Sequence, residues 1–275
     1  MLALICALIA PIAQAQPIIL LSNDDGYESD DLRALARALN EDFIVFITAP
    51  QTNQSGMSSA ISGLGREAEW SQFEFDGADL AYWIDATPAI SVHWGIDMVQ
   101  RSFGRPPDLV ISGINGGAND GQSHWYSGTV GAARAARAYG LPALAVSLER
   151  GDDRDVEGAA RWLNGFAASL IESEMDAFLN INFPTGEIGE DTPSILTYPA
   201  ELRLEIFDRA AMPLTVETGM RSGTAQLWYR TSGQDDGTDS DVAVLARGQI
   251  SVTPLTPEAF DLDQAERLWE SQILD

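Results

Sequence analysis

Short apolar runs alternate with amphipathic segments along the first two thirds of the chain. Each run is four to seven residues long and is closed by polar, glycine or proline residues, which is the pattern of a buried strand. The predicted strands cover residues 18–22, 43–49, 109–112, 143–147 and 178–183. The sequence therefore predicts a sheet whose strands are buried on both faces.

Helical periodicity fills the segments between these runs. The spacing predicts a helix over 30–39, capped by Asp30 or Asp31, with Leu32 and Leu35 on its apolar face. Further helices are predicted over 128–139 and 156–174. Strands that alternate with helices indicate an α/β fold with a Rossmann-like, parallel-core sheet covered by helices on both faces. Ligands of such sheets bind outside the carboxyl ends of the strands.

The pattern changes after residue 190, so we divide the chain into an α/β core at 16–190 and an appended part at 191–275. Short alternating runs at 202–207, 214–217, 225–229 and 249–252 predict antiparallel hairpins that project from the sheet as an arm. Residues 233–241 are acidic and rich in turn formers, which indicates a loop. Residues 257–274 fit one amphipathic terminal helix, and an arm with a terminal helix favours subunit exchange in an oligomer.

The first fifteen residues have the features of a signal peptide. Residues 2–12 are apolar, and Ala13-Gln14-Ala15 matches the small-x-small cleavage pattern. We therefore predict export to the periplasm, although no Lys or Arg precedes the apolar run. The alternatives are an additional N-terminal strand or a misassigned start, with a cytoplasmic location. Cys6 is the only cysteine, so a chain cleaved after Ala15 has no thiol for disulfides, catalysis or metal binding.

Charge limits the class of partner. The formal net charge is −25, and all 16 basic residues are arginines. Such a chain repels nucleic-acid polymers and anionic membranes, so we expect it to bind neither by charge. An anionic substrate would require a local cation at its binding site.

Three polar loops follow predicted strands and should open at the same sheet edge. They contain Asn23-Asp24-Asp25-Gly26, then Ser55 within 53–59, then Asn115 and Asn119 within 112–119. Adjacent carboxylates near a core repel each other and need a compensating cation, a shared proton or water. Carboxylate, amide and hydroxyl oxygens are ligands for Mg²⁺, Mn²⁺ or Ca²⁺.

A fourth loop precedes the helix at 128–139. Ser127-Gly128-Thr129 offers an N-cap hydroxyl and free backbone N–H groups, which together favour an anion. The combination of an acidic pair, oxygen ligands and this helix start predicts a metal beside a phosphate pocket.

Six motifs in order resemble the SurE survival-protein family over about residues 17–257. They are ILLSNDDG, APQTNQSGMSSAIS, DLVISGINGGAN, YSGTVGAARAARAYGLPALAVSL, NINFP and SDVAVLARGQISVTPL. The resemblance implies a metal-dependent 5′/3′-nucleotidase that releases phosphate from nucleoside monophosphates. It also implies a Rossmann-like fold with swapped segments in a homodimer or homotetramer.

The resemblance also implies the roles of particular residues. The metal ligands would be Asp24, Asp25, Ser55 and Asn115, holding one Mg²⁺ or Mn²⁺ per subunit; Asp24, Asp25 and Asn119 would be catalytic; and Ser127, Gly128 and Thr129 would bind phosphate. Three stretches, at 27–31, 86–91 and 122–125, depart from the usual family residues and border the pocket, so the preferred substrate stays open.

Several alternatives remain at this point. Asp24 is a ligand, a base or a nucleophile, and His124 is a candidate acid, whereas His93 is expected to pack on a helix. Nucleobase stacking or ordinary packing fits Trp125, Tyr126, Trp228 and Tyr229, and substrate binding or surface ion pairing fits Arg221 and Arg230. A receiver-type phosphorylation switch requires a lysine, and this chain has none. A non-catalytic metal- or nucleotide-binding module is the remaining rival.

Overall fold

The structure is a computed structural model that describes residues 15–207, 227–232 and 237–256. The predicted leader, the predicted strand at 214–217 and the predicted helix at 257–274 lie outside the described residues. The division of the chain at residue 190 stays a prediction.

Nine strands of the described chain form one mixed sheet, and two more form a separate antiparallel pair. In chain order the strands are β1 (Ile18–Ser22), β2 (Ile44–Pro50), β3 (Trp70–Phe73), β4 (Leu80–Ile84), β5 (Leu109–Gly116), β6 (Ala143–Leu148), β7 (Phe178–Phe183), β8 (Ser194–Leu196), β9 (Arg203–Phe207), β10 (Leu227–Ser232) and β11 (Ile250–Pro254). The large sheet has the order β3-β4-β2-β1-β5-β6-β7-β11-β8. Its centre, from β4 to β7, is parallel.

Helices cover both faces of this sheet. They are α1 (Asp30–Leu39), α2 (Pro88–Phe103), α3 (Gly128–Arg137), α4 (Val156–Glu172) and the short α5 (Asp241–Leu245), with a 3₁₀ turn at Gly121–Trp125. Alternate side chains of β1 enter opposite cores: Ile19 and Leu21 pack with α1 and α4, whereas Ile18 and Leu20 pack with α2 and α3. The predicted α/β fold with a parallel-core sheet is thus confirmed. None of the described helices has the length and apolar character needed to cross a bilayer.

The predicted cap of α1 was wrong by one or two residues. Ser29, not Asp30 or Asp31, is the N-cap, and its hydroxyl oxygen accepts a hydrogen bond from the Leu32 N–H at 3.3 Å. Asp31 instead forms an ion pair with Arg154. The carboxylate is drawn away from the cap because a partly buried guanidinium lies close to it.

The prediction that residues 249–252 form a hairpin strand of the arm was also wrong. This segment is β11, which returns to the large sheet. There it pairs antiparallel with β7 and parallel with β8. The buried side chain of Ile250 joins the core between the sheet, α1 and α4, so its burial explains the return. Among the described residues, β9 and β10 form the antiparallel pair that corresponds to the predicted arm.

Candidate active site

The carboxyl ends of β1, β2, β5 and β6 and the start of α3 surround a cavity of about 340 Å³. The residues that line it come from separate loops, and most of them have a polar side chain. The lining residues are Asp24, Ser55, Gly56, Asn115, Gly117, Ala118, Asn119, Ser123, Tyr126, Ser127 and Arg150. Five side chains predicted from the sequence, Asp24, Ser55, Asn115, Asn119 and Ser127, therefore meet at one cavity.

The turn after β1 is shaped by Asn23, which is fully buried. Its side-chain amide donates to the Gly26 carbonyl at 2.9 Å, and its amide oxygen accepts from the Gly26 N–H at 3.3 Å. Gly26 has a φ of 102°, which favours glycine. The Gln54 N–H donates to the Asp24 carbonyl at 2.7 Å, so the loop after β2 is tied to the acidic pair.

Asp24 is almost completely buried at the floor of the cavity, with 3% of its surface exposed. The Thr129 hydroxyl donates to its Oδ1 at 2.7 Å. Gly128 lies against the same side chain: a Cβ added at Gly128 would be 2.7 Å from Asp24 Cβ and 2.8 Å from Oδ2. Only glycine permits this approach of the α3 N-terminus to the carboxylate.

Burial raises the pKa of Asp24 to about 6. The Thr129 hydroxyl opposes this rise because it stabilises the charged form, and the neighbouring charge of Asp25 adds to it. A buried carboxylate whose pKa is raised gains from a nearby cation, since the cation offsets the lost hydration.

Asp25 adjoins the cavity from the side but is not part of its lining. Its two oxygens accept from the Asn53 side-chain amide at 3.1 Å and from the Gly116 N–H at 3.4 Å. Burial raises the pKa of Asp25, whereas the hydrogen bond from Gly116 and the charges of Arg154 and Arg150 act against the rise. Asp25 is thereby linked to the loops after β2 and β5.

Asn119 is buried and held on all sides. Its side-chain amide donates to Ser147 Oγ at 2.8 Å and to Thr129 Oγ1 at 3.4 Å, so both amide hydrogens are used. Its backbone N–H donates to Asn182 Oδ1 at 2.7 Å, and its carbonyl accepts from Asn180 at 2.7 Å. A chain of contacts thus runs from Asn119 through the Thr129 hydroxyl to Asp24, and it fixes the position of the carboxylate.

Ser127 caps α3, and its hydroxyl oxygen accepts from the Val130 N–H at 3.1 Å. The first turn of α3 contains no acidic residue, so the positive end of the helix dipole is not neutralised within the helix. The turn therefore stabilises negative charge beside it, both on Asp24 and on an anion in the cavity.

The donor set fits a hard divalent cation. Ser55 Oγ and Asn115 Oδ1 line the cavity and have no hydrogen-bond partner within the described ranges. The part of the chain that the structure describes has no cluster of three or more His, Cys, Asp or Glu side chains arranged for a metal. A cation here would thus rely on two carboxylates together with amide and hydroxyl oxygens, which suits Mg²⁺ or Mn²⁺ better than Zn²⁺.

The histidines lie outside the cavity lining. His124 is buried, and its Nδ1 faces the Gly121 carbonyl and must carry the proton that this oxygen accepts. Burial lowers the pKa of His124. His93 lies on α2, where the sequence predicted it to pack, and contacts the Tyr139 hydroxyl at 3.0 Å. The acid role of His124 therefore stays a prediction.

Of the aromatic and arginine side chains that the sequence offers for substrate binding, the structure describes only some. Tyr126 lines the cavity and is 50% exposed, while the neighbouring Trp125 is 61% exposed. The side chains of Trp228, Tyr229 and Arg230, and all of Arg221, lie outside the described part of the chain.

Sequence reasoning missed three residues that act on the site. Arg150 lines the cavity, Asn53 holds Asp25, and Asp241 binds the backbone of the 3₁₀ turn at Gly121. Arg150 follows the carboxyl end of β6 by two residues, which is the position where α/β sheets present ligand-binding side chains. This position was a usable signal for Arg150, whereas the contact of Asp241 depends on the return of β11 to the sheet.

Comparison with known proteins gives a consistent family. The family model described as survival protein SurE matches residues 19–199. The chain is 35% identical over 252 residues to the 5′-nucleotidase SurE of Syntrophus aciditrophicus, covering 90% of this chain and 91% of the relative. It is also 35% identical over 242 residues to the 5′/3′-nucleotidase SurE of Salmonella typhimurium, covering 86% and 89%.

A solved structure agrees with these relatives. The crystal structure of the SurE protein from Aquifex aeolicus superposes with a TM-score of 0.71 at 26% identity, over 93% of this chain and 98% of that one. The motifs, the family model and the shared fold lead to one conclusion: this chain belongs to the SurE family.

Proposed function

We propose that this protein hydrolyses phosphate monoesters, namely nucleoside 5′- and 3′-monophosphates, to the nucleoside and phosphate. The observation that carries the proposal is the cavity at which Asp24, Ser55, Asn115, Asn119 and Ser127 meet. The relatives named 5′-nucleotidase and 5′/3′-nucleotidase support the substrate class.

The proposed cofactor is one divalent ion per subunit, Mg²⁺ or Mn²⁺, held by Asp24, Asp25, Ser55 and Asn115. Such an ion, when bound, polarises a phosphoryl oxygen and increases the acidity of a bound water. Asp24 supplies a charged oxygen for the ion once its proton is lost, and the Thr129 hydroxyl holds that carboxylate in one orientation.

The remaining residues bind and orient the phosphate. The backbone N–H groups at the start of α3, with Ser127, Gly128 and Thr129, stabilise negative charge on the transferring phosphoryl group. Both amide hydrogens of Asn119 are already donated to Ser147 and Thr129. We therefore assign Asn119 a positioning role that acts through Thr129 on Asp24.

The competing proposal is a binding module of the same fold without turnover. The raised pKa of Asp24 favours catalysis over this alternative, since buried acids with shifted pKa values concentrate at catalytic sites. The nucleotidase names of the relatives favour catalysis as well.

Phosphate release from AMP, GMP and p-nitrophenyl phosphate, with Mn²⁺, Mg²⁺ or EDTA, separates the two proposals. We expect release with Mn²⁺ or Mg²⁺ and none with EDTA. The matched variants are Asp24→Asn, which should lose activity, and Asp30→Asn, whose fully exposed carboxylate lies outside the cavity and should not matter. Release that EDTA leaves unchanged, or nucleotide binding without release, would contradict the hydrolase.

Assembly and export complete the proposal. We expect a homodimer or homotetramer, and light scattering on the purified protein tests its mass. Export through residues 1–15 predicts a mature N-terminus at Gln16, which N-terminal sequencing of the protein from separated cell compartments would detect. A full-length cytoplasmic chain would favour the alternative of an uncleaved N-terminal segment.

A further inference from the structure

A phosphomonoester dianion meets an unfavourable charge at this protein, because the formal net charge is −25. The cavity therefore needs a positive group that outweighs the repulsion locally. Among the described residues that line the cavity, Arg150 is the only one with a cationic side chain.

The backbone of the β5 loop fixes the base of the Arg150 side chain. Its Nε donates to the Gly116 carbonyl at 2.8 Å. Gly117, at a φ of 142°, lies directly beneath: a Cβ added there would be 2.9 Å from Arg150 Nε. The Nε end of the guanidinium thus packs against the backbone of Gly116 and Gly117, next to Asn115. Its position is set by backbone atoms and not by another flexible side chain.

The outer edge of the guanidinium is available to a ligand. Within the described ranges, no carboxylate lies within ion-pair distance of Arg150, and its terminal nitrogens have no hydrogen-bond partner. By contrast, nearby Arg154 is engaged by Asp31. Other described arginines, such as Arg161, also lack an ion pair within the described ranges, but Arg150 is distinguished from them by its place in the cavity lining.

We propose that Arg150 binds the phosphate group of the substrate and determines the affinity for phosphomonoester dianions. The inference rests on the proposed function and adds a residue that the sequence motifs do not include. With Nε held by Gly116, the two terminal nitrogens form a fork that matches two phosphate oxygens. A lysine offers the charge without the fork or the anchor, so it should replace Arg150 only in part.

Two variants and one control test this role. Arg150→Gln removes the charge, Arg150→Lys keeps it, and Arg161→Gln makes the same change of charge at an exposed position on α4. For Arg150→Gln we expect KM for AMP to rise about ten-fold or more, with kcat within about three-fold of wild type. The inhibition constant of inorganic phosphate should rise with KM. For Arg150→Lys, both constants should lie between those of wild type and Arg150→Gln. For Arg161→Gln, both should match wild type.

Calorimetric binding of inorganic phosphate to the Mn²⁺-loaded protein separates this inference from the proposed function. If wild type releases no phosphate from AMP, the hydrolase fails, and weaker phosphate binding by Arg150→Gln than by Arg161→Gln still supports the arginine site. If Arg150→Gln and Arg161→Gln share the same KM and the same phosphate affinity, the inference is overturned. A fall in kcat with unchanged phosphate affinity would overturn it as well.

Discussion

Asp24 is held in a balance between burial and hydrogen bonding. Burial raises its pKa to about 6, while the Thr129 hydroxyl stabilises the charged form at 2.7 Å. A proton on Asp24 competes with a divalent cation, so activity should decline as the pH falls below the pKa of this carboxyl.

The Thr129 hydroxyl should set the pH at which this decline occurs. In Thr129→Val the hydrogen bond to the charged carboxylate is lost, so the pKa of Asp24 rises and the acid limb of the kcat/KM profile moves to higher pH. We expect a shift of about one pH unit. Thr253→Val removes a buried hydroxyl whose hydrogen bond, within the described ranges, is to Thr197, and it should leave the profile unchanged. An unmoved acid limb in Thr129→Val would contradict the role of this contact.

At the residue scale, the sequence predicted where the polar side chains lie better than which atoms they use. Asp24 and Ser55 follow buried strands, Asn115 lies at the carboxyl end of β5, and the parallel sheet brings the three together. The engagement of both Asn119 amide hydrogens depends on Ser147 and Thr129, which are 28 and 10 residues away. No local pattern reports such contacts.

At the element scale, the start of α3 lies directly against Asp24. Its first residue, Gly128, leaves no room for a side chain beside Asp24. Gly128→Ala should displace the carboxylate and lower kcat/KM by about 100-fold. Gly165→Ala is the matched control, since a Cβ there meets nothing within 4 Å and should stabilise α4 by about 1 kcal/mol. Full activity in Gly128→Ala would show that this approach is not needed.

The short helix α5 joins the returning segment to the active-site turn. Asp241, 1% exposed, accepts from the N–H groups of Gly121 and Ala200 at 2.8 Å and of Val242 at 2.9 Å. Asp241→Asn turns one acceptor into a donor, so at least one of these N–H groups loses its partner.

We expect Asp241→Asn to lower the free energy of unfolding by about 1–3 kcal/mol and to raise KM, because the turn at Gly121 leads to Ser127. Urea denaturation and steady-state kinetics measure the two effects. Asp239→Asn, an exposed neighbour, should change neither. If both variants behave alike, Asp241 does not support the turn.

At the element scale, the sequence predicted the elements with the clearest periodicity. The five apolar runs became β1, β2, β5, β6 and β7. The strands β3 and β4 were missed. The strand β3 is an edge strand with exposed positions, whereas β4 is an apolar run as long as β1 and was a usable signal. The helix α2 was missed as an element, although Pro88 at its start and Gly104 at its end are ordinary boundary signals. The place of β11 beside β7 is a tertiary choice that alternation does not encode.

For the whole molecule, the main long-range interaction is the electrostatic repulsion among the excess carboxylates. A formal net charge of −25 repels itself in the compact state, and salt screens this repulsion over about 10 Å at 0.1 M. Raising NaCl from low concentration should therefore increase the free energy of unfolding by about 1 kcal/mol, with an unchanged urea m-value. KCl should act equally, and a stability that is independent of salt would contradict this account.

The net charge of the whole molecule also explains why the site needs local positive groups. A strongly acidic surface surrounds a cavity whose positive features are local: the start of α3, Arg150 and the proposed cation. The parallel sheet makes this possible because it brings loops from distant parts of the sequence to one edge. This convergence is the central claim of the account.

Calorimetric titration of Mn²⁺ into the metal-free protein tests that claim most directly. The account predicts one Mn²⁺ per chain for wild type and for Asp30→Asn, and a loss of affinity of about 100-fold in Asp24→Asn and in Asn115→Ala. Equal binding by all four proteins, or the absence of binding by wild type, would contradict a metal site among these loops.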